Sequence, residues 1–300
     1  MSGHSSKKVI VIAGPTASGK TAVSIELAKH FQTAIISCDS RQCYREMLIG
    51  TAAPTPEEQQ GIHHYFIQSH SIHEPVSAGM YKELAMGWLE EIFKNSNTAI
   101  ITGGTGLYIQ TLLEGIHKFP ETDPSIRAAI KNEFEERGIE FLREIVKSAD
   151  PEYYAKVDDN NPARLMRAAE IIRGTGNPYS YFLSQQKESD FPYEVKKYVV
   201  DIDRASLYER INQRVDSMIE NGLLKEAETL FPYRQLSTLS TVGYTELFDF
   251  IEGKWSLDTA IEKIKQHSRN YAKRQLTWFR NKGDYQFTAT DQLIRDEMDM

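Results

Sequence analysis

Eight consecutive residues, Gly14, Pro15, Thr16, Ala17, Ser18, Gly19, Lys20 and Thr21, carry the G-x-x-x-x-G-K-[ST] spacing of a phosphate-binding loop. Glycines at the first and sixth positions let backbone close around an anion. Successive N–H groups and the positive end of the following helix then meet phosphate oxygens. Lys20 adds a point charge, and the Thr21 hydroxyl stands where a phosphate-bound Mg2+ would take a ligand. Such loops serve kinases, hydrolases and other transferases alike, so the motif specifies an anion and no reaction. A second reactive group is Asp39, just past the apolar run Thr33–Ser37. A carboxylate there can act as a base, hold Mg2+ through water, or cap a helix.

The surrounding pattern predicts the elements that place these groups. Val9–Ala13 reads as a buried strand, Thr21–Lys29 as a helix and Thr33–Ser37 as a second strand. Strand, helix, strand implies a parallel sheet with ligand groups at the carboxyl ends, which puts Asp39 in the neighbourhood of the phosphate loop. Residues Gly50 to Pro75 are expected to form a loop, with His63 and His64 solvated or hydrogen-bonded and no metal-site pattern around them. A helix is predicted over Ser77–Phe93 and a strand over Thr98–Thr102. That strand runs into Gly103-Gly104-Thr105-Gly106, a second turn where backbone could approach a ligand.

From Phe119 to Pro192 the character changes. Four Asp/Asn-Pro pairs, at Asp123, Asp150, Asn161 and Asn177, each signal a helix start, and strand-like runs are absent. The expected fold is therefore α/β: a P-loop NTPase-like parallel sheet flanked by helices (1–118 and 193–300), with an all-helical insertion (119–192). Arg164 and Arg167, three apart, share a helix face that could meet phosphates or simply be solvated. The sheet resumes at Val195–Ile202, and a helix over Ser206–Asn221 carries Arg210 and Arg214 one turn apart. This pair could fork onto a diphosphate or pair with Asp203 and Asp216. Along the helix predicted over Asp258–Lys282, Lys265, Arg269, Lys273 and Arg280 form one basic stripe, suited to an RNA backbone or to an ordinary solvated face. After Asp291 a polar, frayed tail is expected.

Composition narrows the classes. With 300 residues, 40% hydrophobic and 26% charged, the chain can bury a core in about two domains. A net charge of −7 excludes a protein that coats nucleic acid through a uniformly basic surface, so any such contact must be local. Cys38 and Cys43 are too few for a disulfide framework or a four-ligand zinc site and read as small apolar fillers. No apolar run approaches the ~18 residues of a membrane span. A cytoplasmic protein is expected, with no membrane contact and no obligate protein partner.

Seven segments in order resemble the tRNA dimethylallyltransferase (tRNA isopentenyltransferase) family across nearly the whole chain. They are Gly14–Thr21, Asp39-Ser40-Arg41-Gln42-Cys43-Tyr44, Ile49–Ala52, Gly103–Tyr108, Asn161–Ala168, Val242-Gly243-Tyr244 and Lys273-Arg274-Gln275 through Trp278. The resemblance implies transfer of a dimethylallyl group from dimethylallyl diphosphate to N6 of the adenosine 3′ of the anticodon, in tRNAs reading codons that begin with U. It also implies Mg2+ as cofactor and the anticodon stem-loop of tRNA as partner, with ATP not required. It makes Asp39 the base, and Thr21 and Arg210 the groups that stabilise diphosphate with Lys20. By the same resemblance tRNA is touched by Asp39, Ser40, Arg41, Gln42, Thr105 and Arg127, by Ala163, Arg164, Leu165, Met166 and Arg167, and by Ser240, Thr241, Val242, Gly243, Tyr244 and Thr245. Lys273, from the basic stripe, and Arg274 beside it are also expected to touch tRNA. Ala53 and Thr245 depart from the family by lacking positive charge, and the resemblance implies no counterpart of the eukaryotic C-terminal zinc finger. An adenylate isopentenyltransferase acting on free AMP, ADP or ATP is the nearest rival. A P-loop nucleotide or small-molecule kinase and a non-catalytic RNA-binding protein stand further off.

Overall fold

Six strands, all parallel, form one sheet in the computed structural model, which describes residues 7–185 and 191–299. They are β1 (Lys8–Ala13), β2 (Ile35–Ser37), β3 (His64–Tyr65), β4 (Thr98–Gly103), β5 (Glu194–Val200) and β6 (Gln286–Thr288), in the order β3-β2-β4-β1-β5-β6. Val9–Ala13, Ile35, Ile36 and Ala99–Ile101 are buried almost completely. Continuous apolar runs of this kind are what a parallel sheet covered on both faces requires. The Lys20–His30 helix packs on β1, β2 and β4 and against a terminal helix, Thr290–Met298.

That terminal helix corrects the frayed tail expected after Asp291. Its Leu293 is fully buried in the sheet's core cluster. Glu297 is fixed by Lys8 (2.9 Å), Lys196 (3.2 Å) and the Tyr198 hydroxyl (2.5 Å). Burial alone would raise the Glu297 pKa, but the bonds from Tyr198, Lys8 and Lys196 outweigh it and hold the carboxyl below its ordinary range. The Gly50–Pro75 region is also more ordered than expected. It contains a capped helical turn, Pro56–Gln59, and the edge strand β3.

The chain divides into two compact units, residues 1–113 with 192–300, and residues 114–191. The second unit is helical, built from Pro124–Arg137, Ile139–Ala149, Pro151–Tyr154, Pro162–Thr175 and Tyr179–Leu183 around Ile130, Phe141, Leu142, Val146 and Leu165. Asp123, Asp150 and Asn161 cap their helices through side-chain acceptors, as the Asp/Asn-Pro pairs predict. The fourth pair differs: Pro178 is itself the cap residue, and Asn177 donates to the Thr175 carbonyl instead.

Candidate active site

The phosphate loop leaves β1 and ends at Gly19, whose φ of 92° lies in the left-handed region open to glycine. Ala17, with φ 63°, shares that region despite its Cβ, a strain of order 1 kcal/mol that a closely wound anion loop imposes. The Lys20–His30 helix then begins with no side-chain cap. Among the described residues no chain acceptor receives the N–H groups of Gly19, Lys20 or Thr21. These donors and the helix dipole converge on one spot, as an anion site needs. The Ser18 hydroxyl beneath the loop is buried and unpartnered.

The loop forms one wall of a cavity of about 540 Å³, which Thr16–Thr21, Asp39, Arg41, Gln42, Arg210, Arg214, Tyr271 and Gln275 line together. Lys20 donates to the Pro15 carbonyl (3.1 Å). Burial lowers its pKa to about 8, with Asp39 opposing the shift and Arg214 adding to it. Arg214 donates to Thr16 Oγ1 (2.9 Å) and weakly to the Ala52 carbonyl (3.4 Å), and burial pushes its pKa down as well. Asp203 instead caps its own helix and Asp216 pairs with Lys265, so neither arginine is neutralised by them. Arg210 is exposed, with a guanidinium nitrogen 3.8 Å from the position a Cβ on Gly19 would take. Two partly desolvated cations and a third at the rim make the cavity anion-seeking. Since Lys20 binds an anion best when protonated, affinity for inorganic diphosphate should hold below pH about 8 and fall as the pH rises through it. The expected limit is about tenfold per unit for one required proton, measurable by calorimetry.

Asp39 faces the loop although its strand is not next to β1. Strand β4 lies between β1 and β2. What closes the distance is Gly103 at the tip of β4: a Cβ there would sit 2.1 Å from the Cys38 carbonyl oxygen, so the end of β2 rests directly on it. Asp39 Oδ1 accepts from the N–H groups of Arg41 (2.9 Å) and Gln42 (3.3 Å). The capping reading is therefore realised, but with one oxygen only. Oδ2 has no partner among the described residues and is free to accept a proton.

The second glycine-rich turn lines the cavity at Gly103 and is closely packed beyond it. A Cβ on Gly104 would meet Gln275 Nε2 at 2.1 Å, and one on Gly106 would meet Trp278 Nε1 at 2.1 Å. Gln275 bridges the two glycine turns, donating to the Gly104 carbonyl (2.9 Å) and accepting from Thr16 N–H (3.1 Å). The sequence match over Lys273–Trp278 includes this residue but gives it no role, and these two bonds supply one. Tyr271, one helical turn earlier, was missed as a cavity residue. Its face carries Arg274 at 5.7 Å, and burial together with the Asp39 charge keeps the phenol protonated. His64 also lines the cavity; it is buried in β3 and bonded through Nδ1 to the Ile62 carbonyl (2.9 Å).

Several residues expected to touch RNA have other partners. Thr105 Oγ1 accepts from Ser40 N–H (3.0 Å), fastening the Asp39 turn. Arg41 reaches the Thr238 carbonyl (2.8 Å). Tyr244 is fully buried and cannot meet a ligand, whereas Thr241, Val242 and Gly243 line the cavity and Ser240 and Thr245 are exposed. In the basic stripe, Lys265 pairs with Asp216 (2.8 Å) and Arg269 donates to Asn212 (2.6 Å), so those two hold helices together. Lys273 remains exposed. Within the helical unit Leu165 is core, Arg167 pairs with Glu170 (2.7 Å), and Arg127 lies 3.5 Å from the same carboxylate; Ala163 and Arg164 are exposed.

A phosphate loop at the carboxyl edge of a parallel sheet, with a half-free carboxylate across one cavity, defines a P-loop α/β protein built around a phosphorylated small molecule. The profile of the IPP transferase family matches residues 42–282. A tRNA dimethylallyltransferase of Flavobacterium johnsoniae is 48% identical over 91% of this chain and 90% of its own length. Among solved structures, the full-length tRNA isopentenylpyrophosphate transferase of Bacillus halodurans superposes with a TM-score of 0.72 at 34% identity, over 98% of this chain and 95% of that one. A eukaryotic dimethylallyltransferase solved acting on tRNA gives a TM-score of 0.79 at 27% identity, over 97% of this chain and 76% of that one. The chain belongs to the IPP transferase family.

Proposed function

We propose that the protein transfers the dimethylallyl group of dimethylallyl diphosphate to N6 of the adenosine 3′ of the anticodon in tRNA. The observation that carries this reading is the pairing, in one cavity, of an anion cradle with a carboxylate whose outer oxygen is unbonded. In the reaction the N6 nitrogen attacks C1 of the prenyl group. The C1–O bond breaks and its electrons leave with diphosphate. The proton that N6 sheds passes to Asp39 Oδ2. An exocyclic purine amine is a weak nucleophile, so a nearby base and a stabilised leaving group both lower the barrier.

Diphosphate is held by the N–H groups of Gly19, Lys20 and Thr21 and by the charges of Lys20, Arg210 and Arg214. The target base must leave its stack to reach Asp39, and Tyr271 and Gln42 stand beside its path. The Thr21 hydroxyl is exposed on the cavity wall, and no group of three or more His, Cys, Asp or Glu that could hold a metal exists among the described residues. A hydroxyl oxygen beside the anion cradle suits Mg2+, which takes few protein ligands and completes its shell with phosphate oxygens and water. When bound through Thr21, the ion would add positive charge beside the leaving group.

No described helix is long and apolar enough to cross a membrane. A labelling assay tests the function directly. Label from dimethylallyl diphosphate should enter unmodified tRNA and not AMP, with no phosphate passing from ATP. Label in AMP would make the protein an adenylate isopentenyltransferase, and phosphate transfer from ATP would make it a kinase.

A further inference from the structure

Glu226 lies on the Leu223–Leu230 helix and has no cationic partner among the described residues, yet its carboxylate is fully engaged. Oε2 accepts from the N–H groups of Leu48 and Ile49, both at 2.9 Å. Oε1 accepts from Gly50 N–H (2.9 Å) and from the Tyr244 hydroxyl (2.6 Å). Three consecutive backbone N–H groups converging on one carboxylate form an anion nest occupied by the protein's own side chain. Gly50 is required beside it, since a Cβ there would lie 2.6 Å from the Tyr244 ring and hydroxyl.

The segment so held has work on its other side. The carbonyls of Thr51 and Ala52 accept from Gln42 Nε2 at 3.2 and 3.0 Å, and the Ala52 carbonyl also faces Arg214 Nη2 at 3.4 Å. Gln42 N–H in turn donates to Asp39 Oδ1, and Arg214 grips Thr16 in the phosphate loop. We infer that Glu226 is a positioning residue for the transfer: a resident anion that fixes residues 48–52 so that Gln42, and through it the Asp39 turn, is presented to the cavity. It touches neither substrate. This rests on the transferase reading above, and it explains why the Ile49–Ala52 and Val242–Tyr244 segments, far apart in sequence, matter together.

The wild-type protein is first assayed for transfer to an anticodon stem-loop; no transfer would fail the functional reading itself, before Glu226 is tested. Given transfer, Glu226→Ala should lower kcat/KM for the RNA by about 10- to 100-fold, the cost of a misplacement of about 1 Å in groups flanking the reaction. Affinity for inorganic diphosphate should stay within about twofold, because the phosphate loop is fastened separately through Gln275 and Arg214 keeps its shorter bond to Thr16 (2.9 Å). Added formate, which can occupy the vacated nest, should restore part of the rate, and uncharged formamide should not. Unchanged kcat/KM, no formate rescue, or an equal loss of diphosphate binding would each overturn the proposal. Should Glu226→Ala fail to fold, Glu226→Gln keeps two of the four acceptor bonds. It should show the same split, a lowered kcat/KM for RNA with diphosphate binding preserved, and loss of both or of neither refutes the assignment.

Discussion

Asp39→Asn is expected to slow dimethylallyl transfer by about a thousandfold, within the range for removing a general base, while tRNA affinity changes little. The two oxygens of Asp39 have separate tasks, which makes asparagine the informative substitution. Its amide oxygen can still accept from the N–H groups of Arg41 and Gln42, so the turn that positions the group survives. Its nitrogen, placed where Oδ2 was, cannot take a proton from N6. Alanine would remove both tasks at once and mix a lost base with a collapsed turn. Single-turnover rates with saturating dimethylallyl diphosphate measure the chemical step, and filter binding measures the RNA separately. Because the loss concerns an interaction made in the transition state, it should appear in kcat with KM for tRNA nearly constant. A near-normal single-turnover rate would remove Asp39 from the proton transfer.

What could be read from the sequence followed how local each signal was. The phosphate loop is defined by eight adjacent residues, and its strand and helix lie immediately beside it, so its conformation was legible outright. Asp39 was legible as a strand-end carboxylate, but its route to the loop was not. That depends on β4 inserting between β1 and β2 and on the bare Gly103 tip, facts of topology rather than of pattern. Gln275, Arg214 and Glu226 act at sequence separations of 259, 198 and 176–178 residues, where no spacing rule connects them to their partners. The basic stripe shows a second limit. Helical periodicity put Lys265 and Arg269 on one face, but it could not say that this face meets the Arg204–Glu220 helix rather than solvent. The terminal helix was hidden by composition: among residues 290–298 mostly polar side chains surround Leu293, the one apolar residue buried there, and the stabilising cage around the buried Glu297 draws on Lys8, Lys196 and Tyr198.

The two glycines at the end of β4 should separate fold from function when each is changed to alanine. For Gly103→Ala the added Cβ meets backbone, 2.1 Å from the Cys38 oxygen and 2.4 Å from its carbonyl carbon. Backbone cannot rotate aside, so the tips of β2 and β4 must part, at a cost of about 3 kcal/mol, the upper part of the usual range for overpacking. For Gly104→Ala the nearest atom is the Gln275 amide nitrogen, the far end of a side chain that can swing away. Stability should then fall by only about 1–2 kcal/mol, for the bonds lost to Gly104 and Thr16. Releasing Thr16, however, loosens the first turn of the anion cradle, so diphosphate affinity should drop by about tenfold, the equivalent of one such bond. Trp88, Trp255 and Trp278 are the only tryptophans in the chain, and all lie in the sheet-containing unit, so their fluorescence in a urea titration follows that unit alone. The expected order is Gly103→Ala far below Gly104→Ala in stability, with the latter still folded but binding diphosphate weakly. Equal stability of the two variants would contradict the account of how Asp39 is carried across β4, and undiminished diphosphate binding by Gly104→Ala would contradict the role given to Gln275.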